Sequence, residues 1–215
     1  MIKKLHYNTL TQLQLNILKS LMQIQIFSDF RLVGGTSLSL QIGHRMSVDI
    51  DLFSDVRYGS IDFEKVDQSL HEVWPYVDSL YKTPAGMGKS YFVGLNKDDC
   101  IKLDLYYTDQ FITDCQTIDH IRLASVEEII AMKMDVIARG GRKKDFWDLH
   151  ALMNDYTLNE MMMLYKKRYP FTYNTDLVIR QMTDYTSADQ DFDPVCLYGK
   201  HWEIIKLDLI EFAKS

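Results

Sequence analysis

Two aspartates, Asp49 and Asp51, stand two residues apart in the alternating segment Val48-Asp-Ile-Asp-Leu-Phe53. Successive side chains of a strand point to opposite faces, so both carboxylates share one face while Ile50 and Leu52 point into the core. Like charges held side by side raise each other's pKa unless a cation binds between them. Oxygen ligands of this kind suit Mg²⁺ or Mn²⁺, so the pair predicts a divalent-metal site.

A third carboxylate, Asp104, lies in another alternating segment, Ile101-Lys-Leu-Asp-Leu-Tyr106. If this strand lies beside the first, the three carboxylates form a triad that can hold two metal ions about 3.5 to 4 Å apart. Such a triad is typical of phosphoryl-group transfer, in which positioning and charge neutralisation do most of the catalytic work. Asp104 is then the candidate to help deprotonate the incoming hydroxyl.

The segment Gly34-Gly35-Thr36-Ser37 has the composition of a phosphate-binding turn. Glycines let the backbone come close to a ligand, and the N-terminus of the helix that follows presents free N–H groups to phosphate oxygens. Thr36 or Ser37 would add a hydroxyl contact. We therefore expect all four residues to bind nucleotide.

A basic cluster in residues 133–144 has a local net charge of +4, although the whole chain carries −6. Such a cluster would balance the carboxylates and a triphosphate across a cleft, with Lys133 on the β- or γ-phosphate and Arg142 beside it. The alternative is a solvated helix end, because cations are favourable near the C-terminus of a helix. Five cations and one acid make up the cluster: Lys133, Arg139, Arg142, Lys143, Lys144 and Asp135.

Three further groups of charged side chains have more than one interpretation. Asp145 and Asp148 share a helix face and would orient Lys133, contact the nucleotide or form surface ion pairs. His44 and Arg45 precede the strand of Asp49, where they would shape the turn or brace a carboxylate. The triplet 166–168, Lys-Lys-Arg, is either a contact for an RNA acceptor or a solvated helix end.

Hydrophobic periodicity locates the elements that must position these residues. The order of elements predicts an α+β fold, with a catalytic core over residues 1–120 and an all-helical region over 121–215 that completes the cleft. Strands are expected at 31–33, 47–53 (with Val48 on the apolar face), 77–82, 90–95 and 100–107. Helices are expected at 11–27, 36–42, 63–73, 125–138, 143–153, 158–168, 176–185 and 200–213.

Composition excludes several classes of protein. Of 215 residues, 47% are hydrophobic, and Gly and Pro are few, which argues against a disordered or collagen-like chain. The net charge of −6 argues against a protein that grips long duplexes. Three distant cysteines predict buried, reduced thiols, and the lack of any long apolar run predicts a soluble, cytoplasmic protein without membrane contact.

The segment GGTSLSLQIGHRMSVDIDLF (34–53) resembles the nucleotidyltransferase core shared with polymerase beta, in the form found in the AbiEii/AbiGii toxin family. The likeness extends over about residues 30 to 153 and includes Lys133 and the R-x-K-D-x-x-D-L pattern of 142–149. The resemblance implies a nucleotidyltransferase-like mixed sheet, Mg²⁺, transfer of a nucleoside monophosphate from an NTP, and a cognate antitoxin. It also implies site roles: Gly34, Gly35 and Thr36 as the phosphate turn, Asp49 and Asp51 as the metal pair, and Asp104 as the third carboxylate.

Three functions stay open at this point. The first is a toxin-like enzyme whose acceptor is a tRNA 3′ end or a protein hydroxyl. The second is a nucleotidyltransferase that modifies small molecules such as antibiotics. The third is a nucleotide- or partner-binding module without catalysis, against which the full set of three aspartates argues.

Overall fold

A mixed β-sheet forms the centre of the protein, as seen in a computed structural model that describes residues 4–79 and 86–214. Within those residues seven strands join in the order β3-β4-β5-β2-β1-β7-β6. β2 runs parallel to β5, and β1 parallel to β7, whereas the other neighbours are antiparallel. The strands are β1 (Arg31–Leu32), β2 (Asp49–Ser54), β3 (Tyr76–Ser79), β4 (Gly88–Asn96), β5 (Asp99–Tyr107), β6 (Gln116–Ile118) and β7 (Ile121–Leu123).

The alternation predicted for β2 is confirmed, but its start is not. Ile50 and Leu52 are fully buried, as expected for the core face. Val48 lies before the strand and is 65% exposed, so its placement on the apolar face was wrong. The backbone just before it is bound elsewhere, because the Met46 and Ser47 N–H groups donate to carbonyls outside the sheet.

The hairpin β6–β7 was missed by sequence reasoning. Each strand has three residues, and the turn consists of Asp119 and His120, which both adopt positive φ, 49° and 65°. Neither residue is the glycine that usually marks such a turn. The strand predicted at 77–82 begins at Tyr76, and residues 80–82 lie outside the described part.

Helices cover the sheet and form a second layer behind it. Most begin where a polar side chain caps the first turn, as Thr11, Ser125 and Thr157 do. The first helix ends at Gln23 and a 3₁₀ turn follows, so it is shorter than predicted. The helices are α1 (Gln12–Gln23), α2 (Gly34–Ile42), α3 (Phe63–Val73), α4 (Val126–Ala138), α5 (Lys143–Leu152), α6 (Leu158–Arg168), α7 (Thr175–Met182) and α8 (Trp202–Phe212).

Two hydrophobic cores hold these layers together. One joins the strands to α1 and α3, and the other lies among α4 to α8, where the Trp147 and Trp202 rings stack 5.9 Å apart. The α+β prediction is confirmed, whereas a division at residue 120 stays a prediction and would fall inside the β6–β7 turn. In the described part, no helix has the length and apolar character to cross a bilayer. The three cysteines are free thiols, but the prediction that they are buried was wrong: Cys115 is exposed, and Cys100 and Cys196 are partly exposed.

Candidate functional site

Three aspartates meet where the parallel strands β2 and β5 lie side by side. The register pairs Asp51 with Asp104 and Asp49 with Lys102. We call Asp49, Asp51 and Asp104 the carboxylate edge. Two lysines contact it: Lys144 Nζ lies 3.3 Å from Asp49 Oδ2, and Lys102 forms an ion pair with Asp104.

The carboxylate edge has unsatisfied negative charge. Burial raises the pKa of Asp51 to about 6, and the neighbouring charges of Asp104 and Asp49 add to the rise. The Oδ1 atom of Asp104 is buried without a hydrogen-bond partner among the described residues. A buried carboxylate oxygen in this condition is costly unless a cation or donor reaches it.

These donors fit a divalent cation in their chemistry, because all of them are carboxylate oxygens. As the side chains stand, the described residues contain no group of three or more His, Cys, Asp or Glu placed to hold a metal ion. Instead, lysines neutralise two of the three carboxylates, Lys144 at Asp49 and Lys102 at Asp104. The predicted metal triad is therefore brought together on one edge but is paired with the chain's own cations.

The glycine turn lies directly against the carboxylate edge. Gly34 begins α2 with a φ of +66°, and a Cβ there would lie 2.7 Å from Asp51 Oδ2. A Cβ on Gly35 would lie 2.3 Å from Arg45 Nη2. Both positions therefore need glycine, because the side chains of Asp51 and Arg45 occupy the space that a methyl group would fill.

The hydroxyls of Thr36 and Ser37 serve the packing of α2. Thr36 is buried, bonds the carbonyl oxygen of Asp49 and lies 2.7 Å from Ser47 Oγ. Ser37 Oγ is fully buried and accepts from Gln41 Nε2 at 3.1 Å. Neither residue lines a cavity described below, so the structure does not bring these two predicted phosphate contacts to the cleft.

Behind the turn, five charged or titratable side chains form a buried ion cluster that consists of His44, Arg45, Lys133, Asp145 and Asp148. Lys133 Nζ lies 2.6 Å from Asp145 Oδ1 and 2.5 Å from Asp148 Oδ2. Arg45 contacts both oxygens of Asp148, with Nε 2.6 Å and Nη2 2.9 Å away. His44 Nε2 lies 2.7 Å from Asp148 Oδ1. The expectation that His44 and Arg45 brace a carboxylate is confirmed.

Charges in this cluster stabilise each other. Burial alone would raise the pKa of Asp148, but the charges of Arg45 and Lys133 outweigh it and hold that pKa well below its ordinary value. Burial would lower the pKa of Lys133, but Asp148 and Asp145 raise it instead. Asp148 is fully buried, so the surface ion-pair interpretation was wrong for it. Its contacts make it a positioning residue for Lys133 and Arg45.

A first cavity of about 460 Å³ opens between the turn, β2 and α4. Its size lies within the range of small-molecule sites, roughly 300 to 1,000 Å³. Its lining combines charged and apolar side chains. Its lining includes Gly34, Gly35, Asp51, Lys133, Arg139, Arg142, Lys144 and Asp145, and the apolar residues Phe53, Met132, Val136 and Tyr169.

Sequence reasoning missed part of this lining. Phe53 shares the strand face of Asp49 and Asp51, so the alternation did contain a signal for it. Tyr169 follows the end of α6, and no spacing in the sequence indicates that it reaches the cavity. These residues add an apolar surface to the cavity, whereas the candidates predicted from the sequence were mostly charged.

A second cavity of about 300 Å³ adjoins the first and shares Arg142 and Lys144 with it. Its outer wall is the segment 191–195, in which Phe192 is 99% exposed. Lys143 anchors this wall, since its N–H donates to Asp191 and its Nζ lies 3.0 Å from Asp193 Oδ1. The Met46 N–H also donates to the Val195 carbonyl at 2.9 Å.

The basic triplet at the end of α6 is partly structural. Arg168 is 4% exposed and its Nη1 lies 2.5 Å from Glu128 Oε1, so neither proposed interpretation of a surface residue holds for it. Lys166 and Lys167 are exposed. Lys167 donates to the Ile112 carbonyl at 3.0 Å.

The family model "Nucleotidyl transferase AbiEii toxin, Type IV TA system" matches residues 16–194, well over half of the chain. The chain belongs to the AbiEii nucleotidyltransferase toxin family. The family and enzyme class expected from the sequence are confirmed. An uncharacterized protein of Aquifex aeolicus, aq_aa25, is 28% identical over 185 residues, which cover 83% of this chain and 84% of that protein.

Solved structures confirm the fold of this AbiEii family member. JHP933 from Helicobacter pylori superposes with a TM-score of 0.57 at 21% identity and covers 95% of this chain and 92% of its own. The nucleotidyltransferase toxin MenT4 from Mycobacterium tuberculosis H37Rv gives a TM-score of 0.57 at 16% identity, over 94% and 83%. The likeness extends past residue 153, where the sequence resemblance stopped, so the C-terminal helices are part of the shared fold.

Proposed function

We propose that this AbiEii-family protein transfers a nucleoside monophosphate from an NTP to an acceptor hydroxyl, with release of pyrophosphate. The observation that carries the proposal is the convergence of three features on the first cavity. These are the glycine turn, the carboxylate edge, which reaches the cavity through Asp51, and a lysine held in place by buried acids. Phosphoryl-group transfer needs phosphate positioning and charge neutralisation, which these features supply.

The carboxylate edge would hold Mg²⁺ or Mn²⁺ through Asp49, Asp51 and Asp104. A bound divalent ion offsets triphosphate charge and activates a hydroxyl. Asp104 also has a proton-accepting role in this proposal. Its Oδ1 is buried and has no hydrogen-bond partner among the described residues, and an acceptor hydroxyl that reached this atom would supply one and could transfer its proton there.

The triphosphate lies between the glycine turn and the basic side chains. Backbone N–H groups of Gly34 and Gly35 at the N-terminus of α2 face phosphate oxygens. Lys133 contacts the β- or γ-phosphate, since its ammonium is already fixed at the wall of the cavity by Asp145 and Asp148. Arg142 is exposed at the same wall and adds a second cation.

Roles for the remaining predicted nucleotide-binding residues follow from their contacts. Asp145 acts on the nucleotide through Lys133, and it also accepts from the Arg142 N–H at 3.0 Å. Asp148 acts further back, because it touches Lys133 but lies outside the cavity lining. The apolar surface with Phe53 and Tyr169 is suited to the nucleobase.

The acceptor enters through the second cavity, which shares Lys144 and Arg142 with the first. A tRNA 3′ end is the favoured acceptor, because the exposed Phe192 ring offers a stacking surface for an unpaired base and the shared cations face its phosphates. A protein hydroxyl is the other acceptor. RNA binding of this kind should weaken as salt rises.

A labelling experiment tests the enzymatic part. The protein is incubated with each α-³²P-labelled NTP, Mg²⁺ and a cell extract, and label is sought on RNA, protein and small molecules. We expect metal-dependent label on RNA that disappears with EDTA and with Asp49→Ala/Asp51→Ala. Asp98→Ala, in an exposed turn, is the matched control and should keep full activity. No label in any fraction, or label undiminished in the double variant, overturns the proposal.

The labelled fraction also separates the other functions. Label on a small molecule identifies an antibiotic-type transferase, and NTP binding without transfer identifies a non-catalytic module. We further propose a cytoplasmic toxin that has a cognate antitoxin. Expression of the chain alone should slow growth, whereas the Asp49→Ala/Asp51→Ala variant should not. Normal growth at matched wild-type protein levels would contradict the toxin role.

A further inference from the structure

Lys144 differs from the other cations near the cleft in what it contacts. Its ammonium lies 3.3 Å from Asp49 Oδ2, and both side chains are about one-third exposed, at 30% and 29%. Lys133 has two acidic partners at 2.5 and 2.6 Å and is only 7% exposed. Lys133 is therefore fixed, whereas Lys144 makes one long, partly hydrated ion pair, of the kind that contributes little to stability.

The position of Lys144 connects three parts of the site. It lies in the first turn of α5, lines the first cavity beside Gly35 and Lys133, and lines the second beside Val48. A lysine ammonium on its flexible four-carbon stem can turn between neighbouring partners without movement of the helix. From this one position it can thus serve Asp49 or an anion in the first cavity.

We propose that Lys144 is an exchangeable counter-cation, which pairs with Asp49 in the empty site and turns to the nucleotide phosphates when a divalent cation takes its place. This inference rests on the proposed function. The physical reason is charge: an ammonium and a divalent cation repel each other at one carboxylate, while a triphosphate in the adjoining cavity attracts the ammonium. Lys144 thereby makes metal and nucleotide binding favour each other.

Lys102 provides a contrasting case within the same edge. It pairs with Asp104 as Lys144 pairs with Asp49, but it lines neither of the two cavities. Its removal should therefore ease metal binding and leave nucleotide binding unchanged. Lys144 should affect both. This difference separates an exchangeable counter-cation from a lysine that merely neutralises a carboxylate.

The first test measures binding rather than turnover. Mn²⁺ affinity is measured by electron paramagnetic resonance, and affinity for an α,β-methylene NTP by calorimetry in EDTA. In Lys144→Met we expect Mn²⁺ alone to bind about two- to fivefold more tightly and the nucleotide alone about tenfold more weakly. Lys102→Met should show only the first change. Lys97→Met, in an exposed turn, should show neither.

A second measurement follows the side chain in the wild-type protein. Acylation of individual lysines by a water-soluble succinimidyl ester is read by mass spectrometry. Labelling of Lys144 should rise at least about twofold with Mn²⁺ and fall again when the nucleotide analogue is added, since acylation requires the neutral amine and an anionic partner keeps a lysine in its charged, unreactive form. Lys133, locked in its pairs, should not respond.

The outcomes distinguish this inference from the proposed function. If the wild-type protein binds Mn²⁺ and nucleotide but Lys144→Met leaves both affinities unchanged, or weakens Mn²⁺ binding, Lys144 is not an exchangeable counter-cation while the nucleotidyltransferase proposal stands. Unchanged Lys144 labelling on Mn²⁺ addition leads to the same conclusion. If the wild-type protein binds neither ligand, both proposals fail.

Discussion

The carboxylate edge and the buried ion cluster use the same types of residue in opposite ways. In the cluster, Asp148 has three cationic or polar partners at 2.5 to 2.9 Å and no exposed surface. At the edge, Asp104 keeps one oxygen that has no hydrogen-bond partner in the described part of the chain, and Asp51 has a pKa raised to about 6 by burial and by its acidic neighbours. One group of charges is satisfied, and the other is not.

This contrast indicates which charges are structural and which are available to a ligand. In a low-dielectric interior the paired charges of the cluster hold their side chains in fixed positions, and of its five residues only Lys133 and Asp145 line the first cavity, where a ligand can reach them. An under-neutralised edge is unstable alone and gains from any cation that binds.

Removal of the central acid of the cluster should have the largest effect on stability. Asp148→Asn leaves the buried charges of Arg45 and Lys133 undercompensated, so we expect a loss of about 3–5 kcal/mol in the free energy of unfolding. Urea denaturation measures it. Asp98→Asn on the surface is the control and should stay within about 0.5 kcal/mol of wild type. A loss below about 1 kcal/mol for Asp148→Asn would show that the cluster is not structural.

At the carboxylate edge, by contrast, removal of an acid should increase the free energy of unfolding. Because folding raises the pKa of Asp51 from 3.8 to about 6, the folded protein holds this proton more tightly, and stability falls as pH rises across that window. Asp51→Asn removes the ionisation. In EDTA the variant should be more stable than wild type by up to about 3 kcal/mol at pH 8 and nearly equal to it at pH 4.

Urea denaturation at both pH values checks this prediction. Nucleotide transfer should be lost in Asp51→Asn even though its stability rises. If the variant is instead destabilised at pH 8, the edge is a satisfied structural pair like the cluster, and the contrast between the two regions is wrong.

A substitution at Gly34 tests whether the carboxylate edge depends on the backbone geometry of the glycine turn. Gly34 has a φ of +66°, which lies in the left-handed region that alanine rarely adopts. Gly34→Ala would therefore strain the backbone and would also place a Cβ 2.7 Å from Asp51 Oδ2. We expect a stability loss of about 1–2 kcal/mol and weaker NTP binding. Gly199→Ala is matched in φ, +65°, but its Cβ would have no described residue within 4 Å. Equal NTP affinity in the two variants would show that the close approach to Asp51 does not matter.

The smallest effect concerns the second cavity. Phe192→Ala should raise the KM for an RNA acceptor about five- to tenfold through loss of base stacking, with NTP affinity and stability unchanged. Phe171 is equally exposed, at 99%, but lines neither cavity, so Phe171→Ala should behave as wild type. Steady-state kinetics at varied acceptor concentration measure the difference. An unchanged KM in Phe192→Ala would remove the base-stacking role.

Most of the carboxylate edge could be predicted from the sequence, but little of the buried ion cluster could. Period-two alternation identified the strand faces of Asp49, Asp51 and Asp104, because that pattern is local and depends only on strand geometry. The three carboxylates can meet only if β2 lies beside β5. The sequence indicated this pairing only as a condition, and the structure shows that the two strands are paired.

Long-range pairs were beyond local reasoning. Arg45 and Asp148 are 103 residues apart, so no spacing indicates that they meet, although each was recognised as a bracing or orienting candidate. Thr36 shows the same limit, because its hydroxyl binds the backbone of a strand whose position depends on the whole sheet. The hairpin β6–β7 was missed because each strand has only three residues, which are too few to show an alternating pattern of apolar and polar side chains.

The outer wall of the second cavity is attached mainly through main-chain atoms and Lys143. The Val195 carbonyl accepts from the Met46 N–H, and the Leu197 N–H donates to the His44 carbonyl. Backbone hydrogen bonds do not depend on which side chain a residue carries. A substitution at Phe192 therefore leaves these bonds and the carboxylate edge intact, whereas Asp191 and Asp193 are held to Lys143 through their side chains, so the stacking surface of this loop can change while its attachment stays the same.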